Sequence, residues 1–176
     1  MRSLDDVDAP WKARGHAVTL LDPRETEGGF FMQLMEKAYF HYKPDDDDHP
    51  PEELQRVAAV VQEADAYVIV SPEYNHQPPP GLTNLMSYFG ASAYKYKPSA
   101  MVTYSAGNWG GVRAAVGLRS YLGELGCIAV SACRNRFQAR IFSRTLMGCF
   151  VAFEEGGTKQ PIGDLSVQWP AALAFC

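Results

Sequence analysis

The spacing of apolar residues divides most of the chain into alternating strand-like and helix-like stretches. "GHAVTLLD" places Val18, Leu20 and Leu21 behind a glycine and predicts a strand over His16–Asp22. From Pro23 to Pro50 the aromatics Phe30, Phe31, Tyr39, Phe40 and Tyr42 follow weak periodicity, which predicts a long connection with one short helix near Phe31–Tyr39. "PPEELQRVAAVVQEAD" is clearer. Leu54, Val57, Ala58 and Val61 recur at i, i+3, i+4 and i+7, Pro51 suits a first helical position, and Glu52 and Glu53 suit the positive end of the helix dipole. "AYVIV" (Ala66–Val70) is apolar throughout, as a strand covered on both faces must be. "PGLTNLMSYFG" puts Leu82, Leu85, Met86 and Phe89 on one helical face, with Gly90 as its C′ residue. "SAMVTYSAG" is a further strand running into a small-residue loop, "VRAAVGLRSYLGELG" a helix closed by Gly126, and "CIAVSAC" a last strand. Strand and helix in alternation with short connections mean right-handed βαβ units. The expected fold class is therefore α/β, a three-layer sandwich with a parallel sheet, as a single domain over residues 1–176. After Arg134 the pattern decays, and 135–176 reads as an atypical tail.

Bulk properties narrow the partners. A chain of 176 residues is one domain with a sizeable core. Its net charge of −4 gives no electrostatic case for a nucleic-acid or acidic-lipid partner. No apolar run approaches the roughly 20 residues of a membrane span, and "MRSLDDVDAPWKARG" has no signal-peptide core. The expectation is a cytoplasmic protein with no membrane and no nucleic-acid partner. Cys127, Cys133, Cys149 and Cys176 form neither a C-x-x-C pair nor a cluster with histidine, so free thiols are expected and no metal site. "DDDDH" (Asp45–His49) reads as a solvated loop.

Open parallel α/β sheets bind ligands beyond the carboxyl ends of their strands. Two loops lie there, "SPEYN" (Ser71–Asn75) and "SAGNWGG" (Ser105–Gly111), each between a strand and a helix. Both bring backbone N–H groups to a helix N-terminus. Gly107, Gly110 and Gly111 allow close backbone approach, while Tyr74 and Trp109 offer flat apolar surface. Singly, each loop is explained about as well by a structural turn; Trp109 could equally face a partner subunit, and His76 reads as a surface or interface residue.

Together, "SPEYNHQPPPGLTNLMSYFG" and "YSAGNWGGVRAAVGLRSYLGELG" resemble the NADPH-dependent FMN reductase family, flavodoxin-like oxidoreductases that include azoreductases and quinone reductases. "GHAVTLLDPRE" and "PEELQRVAAVVQEADAYVIV" fit the same pattern in the same order, so the resemblance covers roughly residues 14–131. It implies a flavodoxin-like fold and the cofactors FMN and NADPH. It also implies hydride transfer through the flavin to a small-molecule electron acceptor such as a flavin, quinone or azo compound. By motif position, Pro72, Glu73, Tyr74 and Asn75 would meet the isoalloxazine, as would Ser105, Ala106 and Gly107. Glu73 would act through its backbone amide. No catalytic side chain is assigned, since N5 of the ring takes and passes the hydride. A homodimer or homotetramer is implied, with the helices over Pro80–Phe89 and Gly111–Leu125 at the interface.

One family feature has no counterpart in the pattern. The first strand, which ends in a Gly-Ser-x-Arg loop that grips the FMN phosphate, is not found, and "WKARG" reads as the last turn of the helix after it. In the strand order 2-1-3-4-5 that strand would lie between "GHAVTLLD" and "AYVIV". Either the slot belongs to a segment outside this sequence, or "RIFSRTLMGCFVAF" fills it. The family's closing helix is also not evident, so one sheet face is expected to be poorly covered. Without the phosphate loop, FMN binding is expected to be weak. The alternatives are a non-enzymatic scaffold or dimerisation partner without cofactor, and a flavodoxin-type electron carrier, which the modest acidity disfavours.

Overall fold

The computed structural model describes residues 12–13, 15–45, 47–136 and 149–154, with side chains described as far as residue 130. The strands are β1 (Ala17–Leu21), β2 (Ala66–Pro72), β3 (Pro98–Tyr104), β4 (Ile128–Arg136) and β5 (Cys149–Glu154). The helices are α1 (Glu52–Glu63), α2 (Pro80–Ser87), the single turn α3 (Ala91–Tyr94) and α4 (Val112–Glu124). All five strands form one sheet in the order β1-β5-β2-β3-β4. β2, β3 and β4 are parallel, from Tyr67 opposite Ser99 to Pro72 opposite Tyr104, and from Pro98 opposite Ile128 to Tyr104 opposite Arg136. This is the expected α/β arrangement of the flavodoxin-like class.

The sheet is nevertheless mixed. β5 runs antiparallel to both its neighbours, with Ala17 opposite Glu154, Leu21 opposite Phe150, and Val70 opposite Cys149. The slot between β1 and β2 is thus filled from within "RIFSRTLMGCFVAF". The direction has a simple cause. β4 ends at the carboxyl edge of the sheet, and β5 begins at that same edge beside Val70. A chain returning from that edge pairs antiparallel, whereas a parallel strand needs a crossover back to the far edge. β5 gives the backbone groups of β1 and β2 the partners that buried N–H and C=O require.

The described helices pack on one face. Leu54, Val57, Ala58 and Val61 of α1, Leu82, Leu85 and Met86 of α2, and Leu118 and Leu122 of α4 share a core with Tyr67, Ile69 and Met101. Tyr67 and Tyr94 meet edge to face within it at 5.6 Å. The Tyr67 hydroxyl donates to the Val61 carbonyl at 2.7 Å, and Lys97 Nζ donates to Val61 and Gln62 at 2.9 and 2.6 Å. The carbonyls left open at the end of α1 are satisfied in this way. Val68, Val70 and Ala100 on the opposite face gather Val18, Leu20 and Val102, without a helix among the described residues. Val68, Val70 and Ala100 are nevertheless buried, and the expected closing helix falls outside the described residues.

Two local expectations are corrected. The helix expected near Phe31–Tyr39 is instead a pair of 3-10 turns, Glu27–Met32 and Tyr39–His41. Gly28 and Gly29 stand at φ 62° and 65°, which breaks helical continuity, and Phe31 is driven fully into the core. Asn84 of α2 fixes this connection by donating to the Phe31 and Gln33 carbonyls. Gly90 is not a left-handed C′ residue. Its φ is −71° and it precedes α3, and it is small because a Cβ there would come within 3.0 Å of the Phe40 ring. Gly126, at φ 77°, does close α4 as expected.

Candidate functional site at the carboxyl edge

Because β2 and β3 are parallel neighbours whose last paired residues are Pro72 and Tyr104, the loops that follow them leave the sheet side by side. Pro72 is buried at the end of β2. The Glu73 amide donates to the Tyr104 carbonyl at 2.9 Å, which extends the ladder by one bond. Tyr74 and Gln77 then exchange a pair of backbone hydrogen bonds, both 2.9 Å, across Asn75 (φ 50°) and His76 (φ 66°). Positive φ at both central residues defines a type I′ turn, a conformation that asparagine and histidine tolerate better than most residues. The following prolines, Pro78 to Pro80, offer no amides and stiffen the run into α2.

The second loop is built on glycine. Gly111 holds φ 83°, and a Cβ there would lie 2.7 Å from the Tyr104 nitrogen and 3.0 Å from Thr103 Cβ. Only glycine lets α4 start so close to the end of β3. Ser105 is half-buried and donates weakly to the Gly107 carbonyl at 3.4 Å, while Ala106 and Gly107 are exposed.

The two loops are tied by the Glu73 side chain. Its Oε2 accepts from the Arg113 and Ala114 amides at 3.0 and 3.2 Å, in the first turn of α4. The Arg113 guanidinium lies 3.9 Å from Oε1, and the Glu73 carboxylate is only 8% exposed. Arg113 also covers Trp109, 5.4 Å from its ring centre. Tyr74 and Trp109 are exposed at 46% and 61%, much for aromatics of this size.

The seven residues expected at the site therefore divide by environment. Glu73, Tyr74, Asn75, Ser105, Ala106 and Gly107 stand on the two adjacent loops, with Pro72 at their base. Sequence reasoning missed the side chain of Glu73. Its amide is used in the sheet, and its carboxylate is the group that reaches the first turn of α4, just past the other loop. Arg113 was missed too; its position at the start of an expected helix, beside an acid at the end of the neighbouring strand, was the available signal.

A parallel β2-β3-β4 core with two strand-to-helix loops opening at one carboxyl edge defines a flavodoxin-like α/β protein. The chain belongs to the NADPH-dependent FMN reductase family, whose sequence model matches residues 4–136. That family consists of NAD(P)H-dependent oxidoreductases with FMN and NADPH as cofactors. A quinone reductase of Pseudomonas putida is 36% identical over 77 residues, covering 42% of this chain and 41% of the relative. An NADPH azoreductase of a Bacillus species is 30% identical over 63 residues, covering 36% of this chain and 35% of the relative. The chain thus aligns with roughly two fifths or less of the length of these curated relatives. Among solved structures, FerB, a flavoenzyme NAD(P)H:(acceptor) oxidoreductase from Paracoccus denitrificans, superposes with a TM-score of 0.49 at 24% identity, covering 64% of this chain and 63% of FerB.

The described residues fit the two ends of FMN unequally. For the flat ring they offer a stiff turn, a glycine-rich loop and two exposed aromatics. The Asn75 and His76 amides make no hydrogen bond among the described residues. For a phosphate dianion they offer less. The first-turn amides of α4, the natural anion donors of this edge, are taken up by Glu73. The slot between β1 and β2 holds the amino end of a strand there, not a strand-to-helix loop. Among the described residues no helix is long and apolar enough to cross a membrane, and no three metal-ligating side chains group together.

Proposed function

We propose that this chain carries the ring-binding half of an FMN-dependent NAD(P)H oxidoreductase that reduces quinones, azo compounds or free flavins. The observation that carries the reading is the pairing of "PEYN" and "SAGNWGG" on adjacent strand ends, joined by Glu73, in a chain of the FMN reductase family. The quinone reductase and azoreductase relatives support the acceptor classes. Pro72, Glu73, Tyr74, Asn75, Ser105, Ala106 and Gly107 would border the isoalloxazine, which when bound supplies the hydride-transfer chemistry. The chain's own part is to hold that ring flat and partly shielded from water between Tyr74 and the small-residue loop. In the same reading the protein is cytoplasmic and works as a homodimer or homotetramer through α2 and α4.

A second reading has a specific observation in its favour. With Glu73 on the α4 amides and β5 in the central slot, the described residues leave the FMN phosphate without a cluster of donors. A scaffold that keeps the fold without the cofactor fits that arrangement. Titration of the protein with FMN and with riboflavin, followed by flavin fluorescence, tests both readings. Riboflavin lacks the phosphate, so comparable binding of the two supports a ring-only site. A large preference for FMN would mean that residues outside the described set hold the phosphate. No binding of either, together with no NADPH oxidation in the presence of a quinone and FMN, would sink the reductase reading in favour of the scaffold.

A further inference from the structure

We infer that the Glu73 carboxylate is a positioning residue that clamps the Tyr74–Gln77 turn onto α4 and so sets the distance between the two ring-facing loops; the functional half of this inference rests on the flavin reading proposed above. The turn leaves the sheet after a single ladder bond, from the Glu73 amide to Tyr104. Beyond it the turn is a two-residue hairpin, a unit that is marginal by itself in water. Two contacts with α4 hold it. At its start the Glu73 carboxylate accepts from the Arg113 and Ala114 amides, with the Arg113 guanidinium alongside. At its end the segment passes Gly117, where a Cβ would come within 2.9 Å of Gln77 Oε1 and 3.4 Å of Pro78 Cδ. Residues 113 or 114 and 117 are one helical turn apart, so both anchors lie along one stripe of α4.

The chemistry of the clamp is specific. A carboxylate is acceptor-only and carries charge, which suits two unsatisfied amides at the positive end of a helix dipole. Because it fills that position itself, Glu73 also denies the α4 amides to any anionic group of a ligand. The turn is thereby aimed by an internal bond instead of by the ligand, and the site exists in advance of binding.

The test uses the full chain without added cofactor. Amide exchange is followed at Tyr74 and Gln77, the two hydrogen-bonded amides of the turn, in the wild type, Glu73→Ala and Glu73→Gln. Glu73→Ala is expected to speed exchange at both amides at least tenfold. Glu73→Gln, whose amide oxygen can still accept from Arg113 and Ala114, is expected to stay within about threefold of wild type. Riboflavin affinity should follow the same order, falling about tenfold or more in Glu73→Ala and little in Glu73→Gln. Exchange at the turn unchanged in Glu73→Ala would overturn the clamp. Faster exchange in Glu73→Ala alongside a wild type that binds no riboflavin would uphold the clamp and remove the flavin reading, so the two fail separately. Should Glu73→Ala not fold, Gly117→Leu attacks the other anchor by pressing on the Pro78 ring. Alanine there would meet mainly the mobile end of Gln77. Faster exchange at Gln77 in Gly117→Leu supports the two-anchor arrangement, and unaltered exchange refutes it.

Discussion

Gly111→Ala isolates the cost of bringing α4 against the end of β3. Two effects add. Alanine at φ 83° enters the left-handed region, at a cost of about 1–2 kcal/mol. Its Cβ would also stand 2.7 Å from the Tyr104 nitrogen and 3.0 Å from the Tyr104 carbonyl carbon and Thr103 Cβ. These are backbone and buried atoms with no free rotamer to swing away, and such overpacking costs about 1–3 kcal/mol. The sum is a loss of about 2–5 kcal/mol, equivalent to a drop of roughly 5–15 °C in Tm for a domain of this size. Urea unfolding followed by circular dichroism measures it directly. Gly107→Ala is the control, since the nearest atom to its Cβ would be Ser105 Oγ at 4.0 Å and its φ lies outside the left-handed region; its stability should change by less than about 0.5 kcal/mol. A loss below about 1 kcal/mol in Gly111→Ala, or equal losses in the two variants, would refute the argument that this glycine sets the spacing of the loop.

Three further outcomes follow from the core and its edges. Lys97→Met removes the ammonium that closes the end of α1 and should cost about 1–3 kcal/mol in urea unfolding. Burial pushes the Cys127 thiol up to about 11. Its folded pKa exceeds its unfolded one, so its contribution is present below about pH 9 and lost as pH rises towards 11. The wild type should therefore lose stability across that window, and Cys127→Ala should flatten the slope. The hydrogen bond from Arg56 holds the Glu53 carboxyl below its usual range. A lowered folded pKa gives stability that is present above about pH 4.5 and lost as pH falls further. Glu53→Gln should cost about 1 kcal/mol at pH 7, and that difference should shrink towards pH 3.

The parts of the fold that rest on local periodicity were legible in the sequence. Leu54, Val57, Ala58 and Val61 fall on one stripe and sit together in the core, and "AYVIV" proved central. Gly90 and the Phe31 region were misjudged because tertiary contacts decide them. The approach of the Phe40 ring and the grip of Asn84 on the Phe31 carbonyl join residues about fifty apart, and no local pattern reports that. The two loops of the site were legible as strand-to-helix junctions, since topology alone puts such junctions at one edge. What Glu73 does there was not legible. An acid after a strand gives no sign of whether its amide or its carboxylate is used until the helix forty residues on is in place. β5 was readable only as an apolar run, because direction in a sheet depends on where the preceding chain arrives.

The strand that joins β1 to β2 is also the last of the five to be synthesised. On the ribosome β2, β3 and β4 can assemble with their helices as soon as Arg136 emerges, while β1 waits for partners that begin at Cys149. Until then β1 and β2 both present bare backbone edges, and that of β2 runs along the apolar stretch Val68, Ile69 and Val70. Pairing across so long a sequence separation is slow, and open apolar edges of this kind recruit strands from other chains. Yield in a cell would then be governed by how quickly β5 docks rather than by how tightly it is held afterwards. Slowed translation between the codons for Arg136 and Cys149, or a higher growth temperature, should send more of the protein into insoluble material.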